Sequence, residues 1–300
     1  MKNVLTVIAA GGGKTNAEPA LENSTVAAAR AALGGAGAPV WLAPGIACDI
    51  PFATPDDPDL ARTAVAAAVA GAPCDIVAQK AAGRRKRLLV ADMESTVIDN
   101  EMIDELAEIT GLGAAITAIT ARSMRGEIDF TQSLIQRVGL FAGRDAALID
   151  QALARLRVVP GAETLVRTMR AHGAHAALVT GGFTPFAEAA RARIGFDEAH
   201  ANEIEIVAGR LTGRVPPPIL DRAAKRHWLD RLARERGIDR AATIAVGDGA
   251  NDLDMLTAAG LAVGYRPKPI VATVADAVIA YGDLTAVLFI QGYRRQDFVG

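Results

Sequence analysis

The sequence predicts an α/β protein in which a doubly wound parallel sheet follows a smaller α+β module. From Arg87 onward, short apolar runs alternate with helical segments, and each run ends in glycine and polar residues. This rhythm is typical of a parallel sheet with its functional groups along one edge. The first 82 residues instead show a different order of short strands and alanine-rich helices. A length of 300 residues allows two domains with substantial cores.

The N-terminal module follows the order β-α-β-β-α-β. Its predicted elements are a strand at 4–9, a helix at 24–33, strands at 39–42 and 46–52, a helix at 59–69 and a strand at 75–78. This order is the split βαβ pattern of a ferredoxin-like (ACT-like) domain, which we assign to residues 1–82. Such modules bind amino acids, mediate dimer contacts or serve as scaffold. Because no convergent polar cluster is visible in this module, scaffold is the favoured interpretation.

Two short motifs in and after this module invite a functional interpretation that we do not adopt. Gly11-Gly12-Gly13-Lys14-Thr15 looks like a phosphate-binding P-loop, but that motif needs a glycine where this chain has Ile8. We therefore expect a flexible turn. Arg84-Arg85-Lys86-Arg87 is a local basic run, and we expect it to be a solvated linker.

Composition and charge argue against several classes of protein. The formal net charge of -2 provides no electrostatic footprint for nucleic acid. No apolar run approaches the ~18 residues needed to cross a bilayer, and the run after Lys2 is shorter than most signal-peptide cores. The two cysteines, Cys48 and Cys74, are too few for a disulfide scaffold. We expect a cytoplasmic protein with reduced thiols and no nucleic-acid or membrane partner, and a homodimer stays open.

The first strand of the predicted parallel sheet, 88–91, ends in Asp92-Met93-Glu94-Ser95-Thr96. Ligands of open α/β sheets gather at the carboxyl ends of the strands. Asp92 is a candidate nucleophile or metal ligand, and Glu94 is a candidate proton donor and acceptor. Acyl-phosphate chemistry needs these two roles side by side. A capped helix start is the alternative interpretation.

Three further polar groups follow later in the chain. Thr180-Gly181-Gly182-Phe183 comes after a strand at 176–179, and its glycines let backbone N–H groups approach a phosphate. Lys225 lies on a helix predicted to begin near Asp221. Gly247-Asp248-Gly249-Ala250-Asn251-Asp252 follows a strand at 243–246 and offers the oxygen ligands that Mg²⁺ prefers. Singly these are an ordinary turn, a solvated lysine and a helix cap, but together they are the groups that phosphoryl transfer requires.

Residues 100 to about 159 are predicted to be mostly helical. Because this insertion comes directly after the first strand of the sheet, we expect it to cover the functional edge as a lid.

In their order and spacing, these segments resemble the haloacid dehalogenase (HAD) superfamily and, within it, the phosphoserine phosphatase family. The resemblance covers about 210 residues, from Arg87 to the C-terminus. It implies a HAD-like domain at 83–300 with a helical cap inserted at about 100–159. The cap matches the family pattern at Asn100-Glu101, Ile103-Asp104-Glu105-Leu106, Met124, Gly126, Phe130, Gln132-Ser133-Leu134 and Arg137-Val138.

The resemblance implies Mg²⁺-dependent hydrolysis of O-phospho-L-serine to L-serine and phosphate through an aspartyl-phosphate, the last step of L-serine biosynthesis. Asp92 would be the nucleophile and Glu94 the proton donor and acceptor. The metal would be held by Asp92, Asp248 and the backbone carbonyl of Glu94, with Asp252 as an outer-shell partner. The implied substrate contacts are Thr180, Gly181, Lys225 and Asn251 to phosphate, Glu101 to the ammonium, Arg137 to the carboxylate, and Met124 and Phe130 closing over the site.

Glu94 departs from the family pattern, which has a second aspartate at this position. The extra methylene displaces the carboxyl group by roughly 1 Å, and misplacement on that scale can cost on the order of a hundredfold in rate. Thr180 replaces a serine and keeps the hydroxyl. Two alternatives stay open: a HAD phosphatase or phosphotransferase for another small phosphomonoester such as phosphohomoserine, and a weakly active regulatory binding protein.

Overall fold

The computed structural model of the chain describes residues 1–10 and 21–300. The turn expected at 11–15 lies outside these residues. Within the described ranges, no helix is long and apolar enough to cross a membrane. Cys48 and Cys74 are both buried and free.

The N-terminal sheet is antiparallel, with the strand order β2-β3-β1-β4. Its elements are β1 (Asn3–Ala9), α1 (Asn23–Ala31), β2 (Val40–Ala43), β3 (Ala47–Phe52), α2 (Pro58–Ala68) and β4 (Cys74–Lys80). The predicted β-α-β-β-α-β order is confirmed. Leu5 and Val7 of β1 pack with the module's own helices, whereas Ile8 belongs to the main core of the molecule. Both faces of this sheet are therefore covered, one by its helices and one by the rest of the chain.

The second sheet begins with β5 (Leu88–Ala91), after which the chain leaves the sheet for the predicted helical segment. The four helices of this cap are α3 (Met102–Thr110), α4 (Gly113–Met124), α5 (Phe130–Gly139) and α6 (Leu148–Leu153). Sequence signals explain two of the boundaries. Gly111 ends α3 in the left-handed conformation, and Asp129 forms a capping box with Gln132 at the start of α5.

After the cap the chain completes a parallel sheet with the strand order β12-β11-β10-β5-β6-β7. The remaining elements are α7 (Ala162–Ala171), β6 (His175–Phe183), α8 (Thr184–Ile194), β7 (Glu198–Asn202), the hairpin β8 (Ile206–Val207) and β9 (Arg210–Leu211), α9 (Arg222–Glu235), β10 (Thr243–Gly247), α10 (Leu253–Ala258), β11 (Ala262–Tyr265), α11 (Pro269–Ala272), β12 (Ala277–Ile279) and α12 (Ala286–Ile290). Helices pack on both faces of this sheet. The predicted doubly wound α/β class is confirmed.

The basic run 84–87 is not the solvated linker that the sequence predicts. Nη2 of Arg84 lies 2.7 Å from Oδ2 of the buried Asp49. Lys86 is also buried, and its Nζ donates to the Ala241 carbonyl at 2.8 Å. Only the other two arginines of the run are exposed. The prediction fails because the two sheets pack together here, and the run lies between them. The division of the chain at 82 and 83 stays a prediction.

Candidate active site

The carboxyl ends of β5, β6 and β10 meet the cap around a cavity of about 230 Å³. Most of the residues proposed from the sequence line it. The core contributes Asp92, Glu94, Thr180, Gly181, Gly182, Phe183, Asp248, Asn251 and Lys268, and the cap contributes Glu101, Ile103, Phe130, Leu134 and Arg137.

Asp92 is buried at the end of β5 and is held by three donors. Its Oδ1 accepts a hydrogen bond from the Met93 N–H at 2.8 Å and lies 2.6 Å from Nζ of Lys225. Its Oδ2 accepts from Nδ2 of Asn251 at 3.3 Å. Lys225 is only 1% exposed, so the alternative of a solvated lysine is wrong. The helix α9 packs this side chain against the strand ends, a contact that helix propensity cannot indicate.

Lys225 bridges two carboxylates, because its Nζ also lies 2.7 Å from Oδ1 of Asp252. Burial by itself would lower the pKa of Lys225, but the negative charges of Asp252 and Asp92 outweigh this effect and raise it. The ammonium group therefore stays charged. A fixed positive charge beside Asp92 is suited to stabilising the oxygens of a phosphoryl group.

Asp92, Asp248 and Asp252 form a buried cluster in which one oxygen of each carboxylate lies within 4.8 Å of the others. Burial raises the pKa of Asp248, and the neighbouring Lys268 opposes this shift. Hard oxygen donors at this spacing are the ligands that a divalent cation such as Mg²⁺ or Ca²⁺ prefers. The cluster can therefore hold a divalent metal.

Asp252 differs from the other two acids because it does not line the cavity, and both of its oxygens accept hydrogen bonds inside the protein. Oδ1 accepts from Lys225 at 2.7 Å. Oδ2 accepts from the N–H groups of Asp248 at 3.2 Å and Gly249 at 3.1 Å. Asp252 is thus well placed to orient the loop that carries Asp248.

Glu94 faces the same cavity as Asp92. Its Oε1 accepts a hydrogen bond from the Met102 N–H, at the start of α3, at 2.8 Å. Burial raises the pKa of Glu94 well above its usual range, and the charges of Glu101 and Asp92 raise it further. A carboxyl group that keeps its proton near neutral pH can donate it to a leaving group.

Glu101 and Arg137 bring opposite charges to the cap side of the cavity. Oε1 of Glu101 accepts from the Ser95 hydroxyl at 3.0 Å, and Nε of Arg137 donates to the Ser133 carbonyl at 3.4 Å. Desolvation raises the pKa of Glu101, while burial lowers that of Arg137 against the opposing effect of Glu94. The cavity can accept a ligand that carries both an ammonium and a carboxylate group.

The last residues of β6, at 180–182, line the cavity where the pairing of β6 with β7 shifts register. The buried hydroxyl of Thr180 accepts from the Gly182 N–H at 2.9 Å. A Cβ atom on Gly182 would lie 2.9 Å from Cε of Met93, and one on Gly181 would lie 3.1 Å from Cζ of Phe130. A larger residue at Gly181 would therefore press on Phe130 in the wall of the cavity, and one at Gly182 would clash with the buried Met93.

The structure does not bring Met124 to the cavity, in contrast to the expectation that it closes over the site. Met124 is the last residue of α4, and it is 81% exposed. The residue that this helix buries is Ile116, two turns before Met124. Phe130, its expected companion, does line the cavity.

Lys268 is a cavity residue that the sequence analysis missed. Its Nζ lies 3.4 Å from Oδ2 of Asp248, and its N–H donates to the Asp248 carbonyl at 2.8 Å. The available signal was its place just after β11, the parallel strand beside β10. An exposed lysine before a proline gives no other indication of function.

The parallel sheet, the helical insertion after its first strand and the acidic site at the strand ends define a hydrolase with a parallel-sheet core and a helical cap. Residues 89–257 match the family model of the haloacid dehalogenase-like hydrolases. The chain belongs to this family.

Similarity to individual proteins extends beyond the matched range. A Streptomyces coelicolor protein named phosphoserine phosphatase is 44% identical over 238 residues, which is 79% of this chain and 58% of that protein. The chain spans between about half and two thirds of the length of the first curated relatives it matches.

Two solved structures are also similar. A HAD family hydrolase from Salmonella enterica serovar Typhi has a TM-score of 0.84 at 26% identity, over 96% of this chain and 98% of that one. A phosphoserine phosphatase described as a phospho-aspartyl intermediate analogue has a TM-score of 0.64 at 36% identity, over 68% of this chain and 98% of that one.

Proposed function

We propose that this chain is a phosphoserine phosphatase, which hydrolyses O-phospho-L-serine to L-serine and phosphate. The observation that carries the proposal is one cavity in which Asp92 and Asn251 face the charged pair Glu101 and Arg137. The first two can engage a phosphate, and the pair can engage the ammonium and carboxylate of an amino acid. The 44% identity to a relative of that name supports this assignment.

In the first step, a carboxylate oxygen of Asp92 attacks phosphorus and the bond from phosphorus to the serine oxygen breaks. Glu94 gives its proton to the departing oxygen, so serine leaves as the neutral alcohol. Lys225, Asn251 and the end of β6 at 180–182 hold the phosphoryl oxygens while charge shifts between them. The 36% identity to the structure described as a phospho-aspartyl intermediate analogue supports this covalent route.

In the second step, Glu94 is a carboxylate and takes a proton from water, whose oxygen attacks the phosphorus of the aspartyl-phosphate. Phosphate leaves, and both Asp92 and protonated Glu94 are restored. The raised pKa of Glu94 suits both steps, because the group must hold a proton before the first and regain one in the second.

We propose Mg²⁺ as the metal of the cluster. Asp92, Asp248 and the backbone carbonyl of Glu94 would hold it, and Asp252 would act from the outer shell, in keeping with its place outside the cavity lining. When bound, the cation would neutralise charge on the phosphoryl oxygens. As part of the same proposal, the reaction is the last step of L-serine biosynthesis in the cytoplasm, a reducing compartment that suits the free Cys48 and Cys74.

The test measures phosphate release from O-phospho-L-serine, O-phospho-L-homoserine and p-nitrophenyl phosphate. We expect the highest kcat/KM for phosphoserine, loss of activity in EDTA and recovery with Mg²⁺. If phosphoserine is inert while another ester turns over, the substrate assignment is wrong.

A variant of the cap sharpens this test. Arg137→Gln should raise KM for phosphoserine and leave hydrolysis of p-nitrophenyl phosphate, which has no carboxylate, nearly unchanged. The matched control is Arg155→Gln, since Arg155 is a cap arginine that pairs with Glu105 and Glu108 on the outer surface. Equal losses on both substrates for Arg137→Gln would contradict a role in binding the carboxylate.

A further inference from the structure

Asn202 is a buried polar residue that the proposed mechanism does not use. It is the last residue of β7, pairs in register with Phe183 of β6 and is only 1% exposed. It does not line the cavity. A side-chain amide buried this deeply needs hydrogen-bond partners, and its partners identify what it holds.

The amide of Asn202 connects the end of β6 to the segment that precedes α9, two segments that are far apart in the sequence. Nδ2 donates to the Gly181 carbonyl at 2.9 Å and to the Leu220 carbonyl at 3.3 Å. Oδ1 accepts from the Leu220 N–H at 2.6 Å. Both N–H donors of the amide group and its oxygen are therefore bonded to the backbone of Gly181 or Leu220.

Each of these segments leads to a group that contacts the phosphate in the proposed function. Gly181 follows Thr180 near the end of β6. Leu220 directly precedes Asp221, whose Oδ1 accepts from the Ala224 N–H at 2.9 Å and caps α9. The first turn of that helix carries Lys225. Asn202 therefore lies between the end of β6 and the start of α9.

We propose that Asn202 is a positioning residue that sets the separation between the end of β6, at 180–182, and Lys225. The inference rests on the proposed function, in which both groups contact the same phosphoryl group. Two donors carried by different elements can do so only if those elements are held at one distance. A displacement of about 1 Å between them can cost on the order of a hundredfold in rate.

The variant Asn202→Asp tests this role with almost no change of shape. The carboxylate can still accept from the Leu220 N–H, but it puts an acceptor where Nδ2 now donates to the Gly181 and Leu220 carbonyls. We expect kcat for phosphoserine to fall about a hundredfold and the affinity for orthovanadate, measured by calorimetry with Mg²⁺, to fall at least about tenfold. In the proposed function L-serine is bound by Glu101 and Arg137 of the cap, so inhibition by L-serine should stay within about twofold.

Asn3→Asp is the matched control, because Asn3 is also 1% exposed and donates from Nδ2 to the Asp56 carbonyl at 3.1 Å, within the N-terminal module. It should lower the melting temperature and leave vanadate affinity unchanged. If Asn202→Asp does not fold, Asn202→Ala carries the same test without the repulsion. A folded Asn202 variant that binds vanadate as the natural chain does would overturn the proposal. Should the natural chain fail to hydrolyse phosphoserine, the vanadate comparison still decides the role of Asn202.

Discussion

Lys225 lies between Asp92 and Asp252 and contacts both carboxylates, but the two acids differ in their access to the cavity. Its Nζ is 2.6 Å from Asp92 and 2.7 Å from Asp252. Asp92 lines the cavity, whereas Asp252 does not and accepts through Oδ2 from two backbone N–H groups. Among the acids beside the lysine, Asp92 is thus the one that a ligand can reach.

We predict that Asp92→Asn removes phosphoserine hydrolysis by at least about a thousandfold in kcat, because a carboxamide cannot form the aspartyl-phosphate. Steady-state kinetics measure the loss, and circular dichroism checks the fold. Asp49→Asn is the matched control: Asp49 is buried in the N-terminal module, accepts from Thr6 at 2.8 Å and pairs with Arg84. It should cost stability but not turnover. A fully active Asp92→Asn protein would refute the covalent mechanism.

At Glu94, two variants distinguish the effect of the acid group from the effect of side-chain length. Glu94→Gln keeps the length of the side chain and an acceptor for the Met102 N–H, but it cannot transfer a proton, so kcat should fall about 10²–10⁴-fold. Glu94→Asp keeps the acid and restores the family residue, and we expect equal or greater activity than the natural chain. Measured kcat values for the two variants provide the comparison. Full activity in Glu94→Gln would contradict the role of Glu94 in proton transfer, and a large loss in Glu94→Asp would show that the length of the side chain matters as well.

At the scale of elements, the cap is attached to the core by more than its two chain connections. The β8–β9 hairpin forms backbone hydrogen bonds with the loop between α5 and α6, including Gly143 N–H to the Leu211 carbonyl and Leu211 N–H to the Arg144 carbonyl, both at 2.8 Å. The α5 end of the cap, which carries Arg137, is therefore fixed to the segment that leads from β7 to α9. The α4 end, with the exposed Met124, lacks this attachment to the hairpin.

A second junction of elements is centred on Glu198, the first residue of β7. Its carboxylate accepts hydrogen bonds from His175 of β6, from His200 and from Arg236 at the end of α9. Burial alone would raise the pKa of Glu198, but these donors lower it to about 2. Because the pKa in the folded state is lower than in the unfolded chain, the ionised carboxylate stabilises the fold above about pH 4.5, and this stabilisation is lost as the pH falls toward 2.

We predict that Glu198→Gln lowers the free energy of unfolding near pH 7 by at most about 3 kcal/mol, less after solvent screening. The difference from the natural chain should shrink as the pH falls from 4.5 to 2, as measured by urea unfolding at a series of pH values. Glu188→Gln is the control, since Glu188 pairs with Arg191 on an exposed helix surface and should change stability by about 0.5 kcal/mol or less. A difference that is independent of pH would contradict the assigned pKa.

At the scale of the whole molecule, the buried carboxylate of Asp75 is one of the contacts that join the N-terminal sheet to the parallel sheet. Oδ1 of Asp75, on β4, accepts from the N–H groups of Ala280 at 2.8 Å and Tyr281 at 3.0 Å, and Oδ2 accepts from Gly282 at 2.7 Å. These three residues directly follow β12. The N-terminal module is thus part of a continuous packed structure, and the similarity to the Salmonella hydrolase likewise covers 96% of the chain.

We predict that Asp75→Asn loosens this junction, because an amide offers one acceptor oxygen and turns its NH₂ group toward a backbone donor. The cost should be about 2 kcal/mol or more, seen as a lower melting temperature and faster proteolysis within 81–87. Asp57→Asn is the control: Asp57 caps α2 by accepting from the Asp59 N–H, and asparagine caps helices as well as aspartate. Unchanged proteolysis in Asp75→Asn would show that other contacts hold the modules together.

The sequence by itself determined the elements and the edge of the sheet where function resides. Apolar runs mark β5, β6 and β10, and the polar residues that follow them must meet at one edge because the strands are parallel. The order of the N-terminal module was equally predictable, since its strands and helices are short, regular and separated by turn residues. These are local patterns, and a sequence encodes local patterns directly.

Only the tertiary structure decided which side chains touch. The burial of Lys225, the bridging by Asn202, the contact of Lys268 with Asp248 and the exposure of Met124 all depend on how distant segments pack. The basic run at 84–87 is the same case, because its partner Asp49 lies in another element. An isolated lysine or asparagine has no periodicity to reveal its partner, so its role follows from the position of elements that the local sequence does not specify.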